Sequence, residues 1–318
     1  MMKEIGGYFE LSQFNNNEYY AELISLNTGR NALLYLIKAK GIKKLYIPYY
    51  LCDVISELLK NYEYNFDYYH IDEQFNPIFN KELKTNEYIY IVNYYGQLED
   101  ERVDAFKHRY KRIVLDNTHA FFQKPKLGID TIYSCRKFFG VPDGAYLSSG
   151  SRLDYDLELD FSKERMNHLL GRYEGSASDY YQESQKNDKS LASIPLKKMS
   201  KLTKNILSAI NYDEVINSRS ENYIYLKSKF ENLNKLTLIT PNAPFSYPLY
   251  VKDGIKIRKK LAEKKIFIPT LWPNVLNDVN ENSIEYQYTA NILPLPCDQR
   301  YSKEDMEYMV KEIYECIN

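Results

Sequence analysis

Two short apolar runs, Tyr88-Ile89-Tyr90-Ile91-Val92-Asn93 and Arg112-Ile113-Val114-Leu115, constrain this chain more than any other feature. They are too short for helices and rich in β-branched residues, so they predict strands buried on both faces, the signature of a parallel sheet. Weaker strands are expected at 44–47 and 66–69, with a helix between them over about 53–61. A further helix over 31–38 has Thr28 or Asn27 as its N-cap and Gly41 as its stop. Such alternation predicts an α/β fold, a mostly parallel sheet sandwiched by helices. Beyond Gly150 the pattern weakens: residues 171–189 are polar and loop-like, and 202–230 carry apolar positions at helical spacing, enough for one or two long helices. The remainder reads as a smaller C-terminal α+β domain, with strands at 245–251 and 291–293, a helix over 254–264 and a terminal helix from Lys303. The expected division is 1–212 and 213–318.

A sheet of this type places ligand chemistry at the carboxyl ends of its strands. Asp116 closes the run Ile113-Val114-Leu115, and Lys137 follows in a turn flanked by Phe138, Phe139 and Gly140. An acid that can pair with a pyridinium nitrogen and an amine that can condense with an aldehyde are what pyridoxal phosphate (PLP) asks of a protein. Read alone, Lys137 is equally a solvated surface charge, Asp116 a strand-end turn residue, and His119 a satisfied core histidine. Other classes are disfavoured. The formal charge of −1 leaves no electrostatic footprint for nucleic acid or an anionic membrane. No apolar run reaches the roughly eighteen residues of a membrane span, and the N-terminus lacks the apolar core of a secretory signal, so a cytoplasmic location is expected. Cys52, Cys135, Cys297 and Cys316 are scattered without metal or disulfide spacing. A nicotinamide site would need a Gly-x-Gly-x-x-Gly after the first strand, and none is there.

Motifs from one end of the chain to the other then fall into order: Asn27-Thr28-Gly29-Arg30-Asn31-Ala32-Leu33, Asn93-Tyr94-Tyr95-Gly96-Gln97, Asp116-Asn117-Thr118-His119, Ser134-Cys135-Arg136-Lys137 leading to Pro142-Asp143-Gly144-Ala145, and Ile292-Leu293-Pro294-Leu295-Pro296 followed by Gln299-Arg300-Tyr301-Ser302. This series resembles the DegT/DnrJ/StrS-type sugar aminotransferases, PLP enzymes of the aspartate-aminotransferase fold, over nearly the whole chain. The resemblance implies that Lys137 carries the cofactor and shuttles the proton, that Asp116 holds the ring nitrogen protonated, and that His119 bonds the phenolic oxygen. Thr28, Gly29 and Ser134 would hold the phosphate through hydroxyls and a helix start, with Arg30 adding charge. Tyr50 is expected to cover the ring face, with Tyr49 close behind.

By the same resemblance the substrates are an amino acid donor such as glutamate and a ketosugar, nucleotide-linked, for surface polysaccharide or secondary-metabolite sugars, in a homodimer with shared sites. The helical stretch after Leu202 could supply an apolar interface. A sugar dehydratase of the same fold is the alternative, although such relatives replace the lysine with histidine; a non-catalytic relative is another. The sequence departs from the family where Pro195-Leu196-Lys197-Lys198-Met199-Ser200 stands in place of Asn-Tyr-Arg-Met-Ser, leaving Lys198 to approach a partner's phosphate. Leu271-Trp272-Pro273 is a candidate contributor to the sugar pocket.

Overall fold

In the computed structural model, which describes residues 5–317, the first helix begins as its capping chemistry requires. Thr28 is extended and its hydroxyl accepts from Asn31 N, opening α1 (Gly29–Lys40); Gly41 closes it in the left-handed conformation, φ 61°. The helix buries Leu33, Leu34, Leu36 and Ile37 against the sheet. After β1 (Ile24–Leu26) and α1 the chain runs through β2 (Lys44–Pro48), α2 (Asp53–Asn61), β3 (Asn65–Ile71), β4 (Pro77–Ile78) and β5 (Glu87–Val92). Then come α3 (Asp100–Tyr110), β6 (Ile113–Asp116), β7 (Asp130–Ser134) and β8 (Ala145–Ser148). The eight strands lie in the order β1-β8-β7-β6-β5-β2-β3-β4. Pairing from β7 through β6, β5 and β2 to β3 is parallel, while β1, β8 and β4 are antiparallel.

The chain leaves β2 towards β3 and returns to β2's other flank as β5, so the strand order reverses between β2 and β5. That reversal is where an open α/β sheet leaves a crevice for a ligand. The helix Asp53–Asn61 has the bounds the sequence predicts.

Residues 171–189 depart in part from expectation. Residues 171–174 end α4 (Asn167–Glu174) and 181–189 fall in α5 (Tyr181–Leu191), while 175–180 between them are the loop the sequence predicts. Neither helix has a side-chain N-cap bond, and α5 buries only Asn187 and Leu191, so a sequence pattern had almost no apolar face to reveal. Downstream, α6 (Lys201–Leu207) and α7 (Tyr212–Phe230) resolve the expected helical stretch. The apolar side chains of α7 are spent inside this chain: Tyr223, Leu226 and Phe230 are buried. The apolar subunit interface expected from this stretch is therefore not presented by α7, whose one large exposed apolar residue is Ile224.

The chain ends with β9 (Tyr247–Tyr250), α8 (Gly254–Glu263), α9 (Val275–Asp278), α10 (Ile284–Asn291), β10 (Ile292–Leu295) and α11 (Lys303–Ile317). β9 and β10 pair antiparallel, and with α7, α8 and α11 they enclose a second core of Leu249, Ile257, Leu261, Leu293, Met309 and Ile313. A third cluster packs Tyr20, Phe121, Phe122, Tyr133, Phe138 and Phe139 beneath the Lys137 turn. Among the described residues no helix is long and apolar enough to cross a membrane, and all four cysteines are free.

Gly144 fastens the Lys137 turn to the start of α1. Its N–H donates to Asn27 O at 2.6 Å and its carbonyl accepts from Cys135 N at 3.1 Å. With φ at +117° it occupies a region closed to side chains, and a Cβ would stand 3.0 Å from Thr203 Cγ2 and 3.2 Å from Cys135. Gly144→Ala is expected to destabilise the fold by about 1–3 kcal/mol; urea unfolding measures this, and an unchanged midpoint would refute the constraint.

Candidate active site

The site is built at the carboxyl ends of β6 and β7 and the start of α1. Parallel register pairs Val92 with Asp116 and Asp116 with Ile132, so the Asp116 side chain leaves the sheet where the strands end. Its carboxylate is buried and accepts three bonds: Thr118 N at 2.9 Å and Thr118 Oγ1 at 2.7 Å on Oδ1, and Tyr90 OH at 2.7 Å on Oδ2. Burial pushes its pKa above the ordinary carboxyl value, and these donors pull it back towards the charged form. Each oxygen retains acceptor capacity, so a further N–H can be received.

Lys137 closes the single-turn 3₁₀ segment Cys135–Lys137 directly after β7. The residue reaches solvent, and its Nζ lies 5.9 Å from the centre of the Phe245 ring. Surrounding protein lowers the pKa of the amine by desolvation; Cys52, Asp188 and Asp116 oppose the shift and Arg136 adds to it. A lowered lysine pKa raises the fraction of free amine, the form that attacks a carbonyl.

His119 is held in an aromatic stack. Its ring lies 4.2 Å from Phe245 at 9° and 5.6 Å from Trp272 at 12°, and its Nδ1 is buried without a hydrogen-bond partner. Desolvation, with Lys137 nearby, lowers its pKa to about 3, so at neutral pH the imidazole is uncharged. Phe245 and Trp272 thus bring the C-terminal third of the chain to the site.

The α1 turn stands beside these groups. A Cβ on Gly29 would lie 3.9 Å from Thr118 Cγ2 and 4.0 Å from Ser134 Cβ, which places Gly29, Ser134 and Thr118 together. Thr28 is buried as the cap of α1. Arg30, partly buried, forms no ion pair among the described residues, and desolvation lowers its pKa; Cys52, Arg136, Glu57 and Asp53 are its electrostatic neighbours. Arg136 is paired to Asp188 of α5 at 2.6 Å. Helix start, hydroxyls and unpaired guanidinium form a setting suited to an anion.

Tyr50 requires correction. It is fully buried, its hydroxyl 3.0 Å from Tyr95 OH and its ring packed edge-on to Trp272 at 4.5 Å and against Tyr94 at 5.1 Å. Protein atoms enclose the ring, so it has no face to offer a ligand. Tyr49 stacks on Tyr68 at 4.6 Å instead. Lys198 is ion-paired to Asp156 at 3.2 Å. Sequence reasoning missed Tyr90, Thr118 and Phe245. Thr118 had a legible signal, an Asp-x-Thr turn at a strand end; Tyr90 and Phe245 had none, since they meet the site only through packing.

No protein-family model and no curated protein matches the sequence. Solved structures do match in three dimensions, and the chain shares its fold with solved aminotransferases. A DegT/DnrJ/EryC1/StrS aminotransferase from Brucella abortus superposes with a TM-score of 0.62 at 12% identity, covering 93% of this chain and 86% of that one. NtdA from Bacillus subtilis, solved with bound cofactor PMP, gives 0.64 at 15% identity over 93% and 73% of the two chains. The putative sugar aminotransferase Spr1654 from Streptococcus pneumoniae, in its PLP form, gives 0.58 at 15% over 92% and 86%.

His119 ties stability to pH. Folded, it takes a proton only near pH 3; unfolded, near 6.5. Between these values the unfolded chain holds the extra proton, so this contribution is complete above about pH 6.5 and is lost as pH falls, at about 1.4 kcal/mol per unit. His119→Gln should flatten the decline between pH 6.5 and 4.5 in urea titrations; parallel declines in the two proteins would remove His119 as the cause.

Proposed function

We propose that this chain is a PLP-dependent aminotransferase moving an amino group from an amino acid donor, glutamate, to a ketosugar carried on a nucleotide, for surface polysaccharide or secondary-metabolite sugars. The observation that carries the reading is the convergence of the Lys137 amine, the Asp116 carboxylate and neutral His119 beside the Gly29 turn, on a fold shared with solved enzymes of that chemistry. When bound, PLP supplies an aldehyde carbon and an electron-accepting ring.

In this reading Asp116, positioned by bonds from Thr118 and Tyr90, would receive the N–H of the ring nitrogen. His119, with an unsatisfied nitrogen, meets the phenolic oxygen. Thr28, Gly29 and Ser134 would hold the phosphate, and Arg30, without an ion pair among the described residues, would add a cation. Lys137 would hold the cofactor through its amine, and the same Nζ would hold and move a proton beside the substrate. Phe245 and Trp272 wall one side of the site. Retention of lysine at position 137 favours transamination over dehydration. We divide the chain into a cofactor unit, 1–212, and a small unit, 213–318, that contributes this wall, and we place the enzyme in the cytoplasm.

Borohydride treatment of PLP-loaded protein is expected to fix the cofactor's mass on the Lys137 peptide, and Lys137→Ala should abolish it. Asp116→Asn should keep the cofactor while slowing amino transfer from glutamate by about a hundredfold or more. Labelling of another lysine, or wild-type rates in Asp116→Asn, would overturn these roles.

We also infer a homodimer, since large apolar side chains outside α7, Tyr8, Phe9, Phe161 and Tyr173 among them, stand 81–100% exposed. These side chains are available to a subunit contact. Sedimentation should give twice the 37.7 kDa chain mass, and a concentration-independent monomer would refute the dimer.

A further inference from the structure

Arg219, on α7, is 2% exposed, yet its guanidinium bonds no carboxylate among the described residues. Asp298, which acts on it electrostatically, is itself bonded by Arg300 at 2.6 and 2.8 Å. Burying a charge without a direct ion pair is costly, and an apolar side chain of similar volume would fill the space at less expense. The donors of Arg219 show what is gained. Nη2 donates to Phe138 O at 3.2 Å, Nη1 to Pro244 O at 2.9 Å and Nε to Gln299 Oε1 at 2.8 Å. Gln299 Nε2 donates in turn to the same Phe138 carbonyl at 2.9 Å. The Phe138 ring lies against the guanidinium at 4.4 Å.

Both clamped carbonyls adjoin the site. Phe138 follows Lys137, and Pro244 precedes Phe245, the ring that faces Lys137 Nζ and stacks on His119. One planar fork therefore fixes two backbone segments remote in sequence, a task for which guanidinium geometry is suited and an ammonium is not. We propose that Arg219 and Gln299 are positioning residues that hold the Lys137 amine in register with the Phe245–His119 wall. The chemical importance of that register rests on the aminotransferase reading; the clamp itself does not.

The test uses the full-length protein without added cofactor, so it is independent of that reading. Acylation of Lys137 is followed against pH by peptide mass spectrometry. The midpoint reports the amine's surroundings, namely Cys52, Asp116, His119, Arg136 and Asp188. Trp272, the single tryptophan, reports the wall by its fluorescence. Gln299→Ala removes one of the two bonds to Phe138 O and leaves the buried charge in place; Arg219→Lys keeps the charge and loses the fork. In both, the Lys137 midpoint is expected to rise towards ordinary lysine as the turn loosens, and Trp272 emission to shift. A purely structural role would lower the urea midpoint with no change in Lys137. Wild-type acylation midpoints in folded Gln299→Ala would overturn the proposal, even if Arg219→Lys fails to fold. Failure of wild-type Lys137 to take PLP would instead overturn the aminotransferase reading and leave the clamp standing.

Discussion

Parallel pairing of β5, β6 and β7 is the constraint on which the rest of the structure depends. Because the three strands run in one direction, their carboxyl ends finish together, and Asn93, Asp116 and the turn after Ser134 emerge on one side of the sheet. Antiparallel β8 then turns back from that edge through Gly144, whose bond to Asn27 draws the start of α1 against the same edge. An acid, an amine and a helix terminus distant in sequence become neighbours through strand direction and one backbone contact.

Desolvation sets the charge states at this edge, and it acts on each group differently. Asp116 is buried but surrounded by donors, so its negative charge has somewhere to be shared. His119 is buried between aromatic rings with no acceptor near Nδ1, so protonation is disfavoured. Lys137 reaches solvent, yet protein around it lowers its pKa. An acid, a neutral imidazole and an amine biased towards its free form meet here, and hydrogen bonds oppose the effect of burial at Asp116 while none does so at His119.

The two larger cores are not joined by apolar packing alone. Gln97 donates to Tyr223 OH at 3.1 Å and accepts from Ile239 N at 2.9 Å, linking the loop after β5 to α7. Glu285 on α10 accepts from Ile71 N at 2.9 Å, linking β3 to the C-terminal helices. Directional bonds of this kind fix the angle at which Phe245 and Trp272 are brought to His119, which apolar contact by itself would leave looser.

The sequence by itself determined the local elements with strong periodicity or capping: the buried runs that became β5 and β6, α1 with Thr28 and Gly41 at its ends, and α2. It also marked Asp116, His119, Ser134 and Lys137 as a group, because strand-end and turn chemistry is written in adjacent residues. It did not reveal α4 and α5, whose faces are mostly polar, and it put Tyr50 on a cofactor face when the tertiary structure encloses it among aromatics. In a chain with 32 tyrosines, nothing local distinguishes one that lines a site from one that fills a core. Tyr90 beneath Asp116, Phe245 against His119, and Arg219 behind Phe138 were decided only by the tertiary structure. Their partners lie 26, 126 and 81 positions away, beyond the reach of any periodicity, so only packing could bring them together.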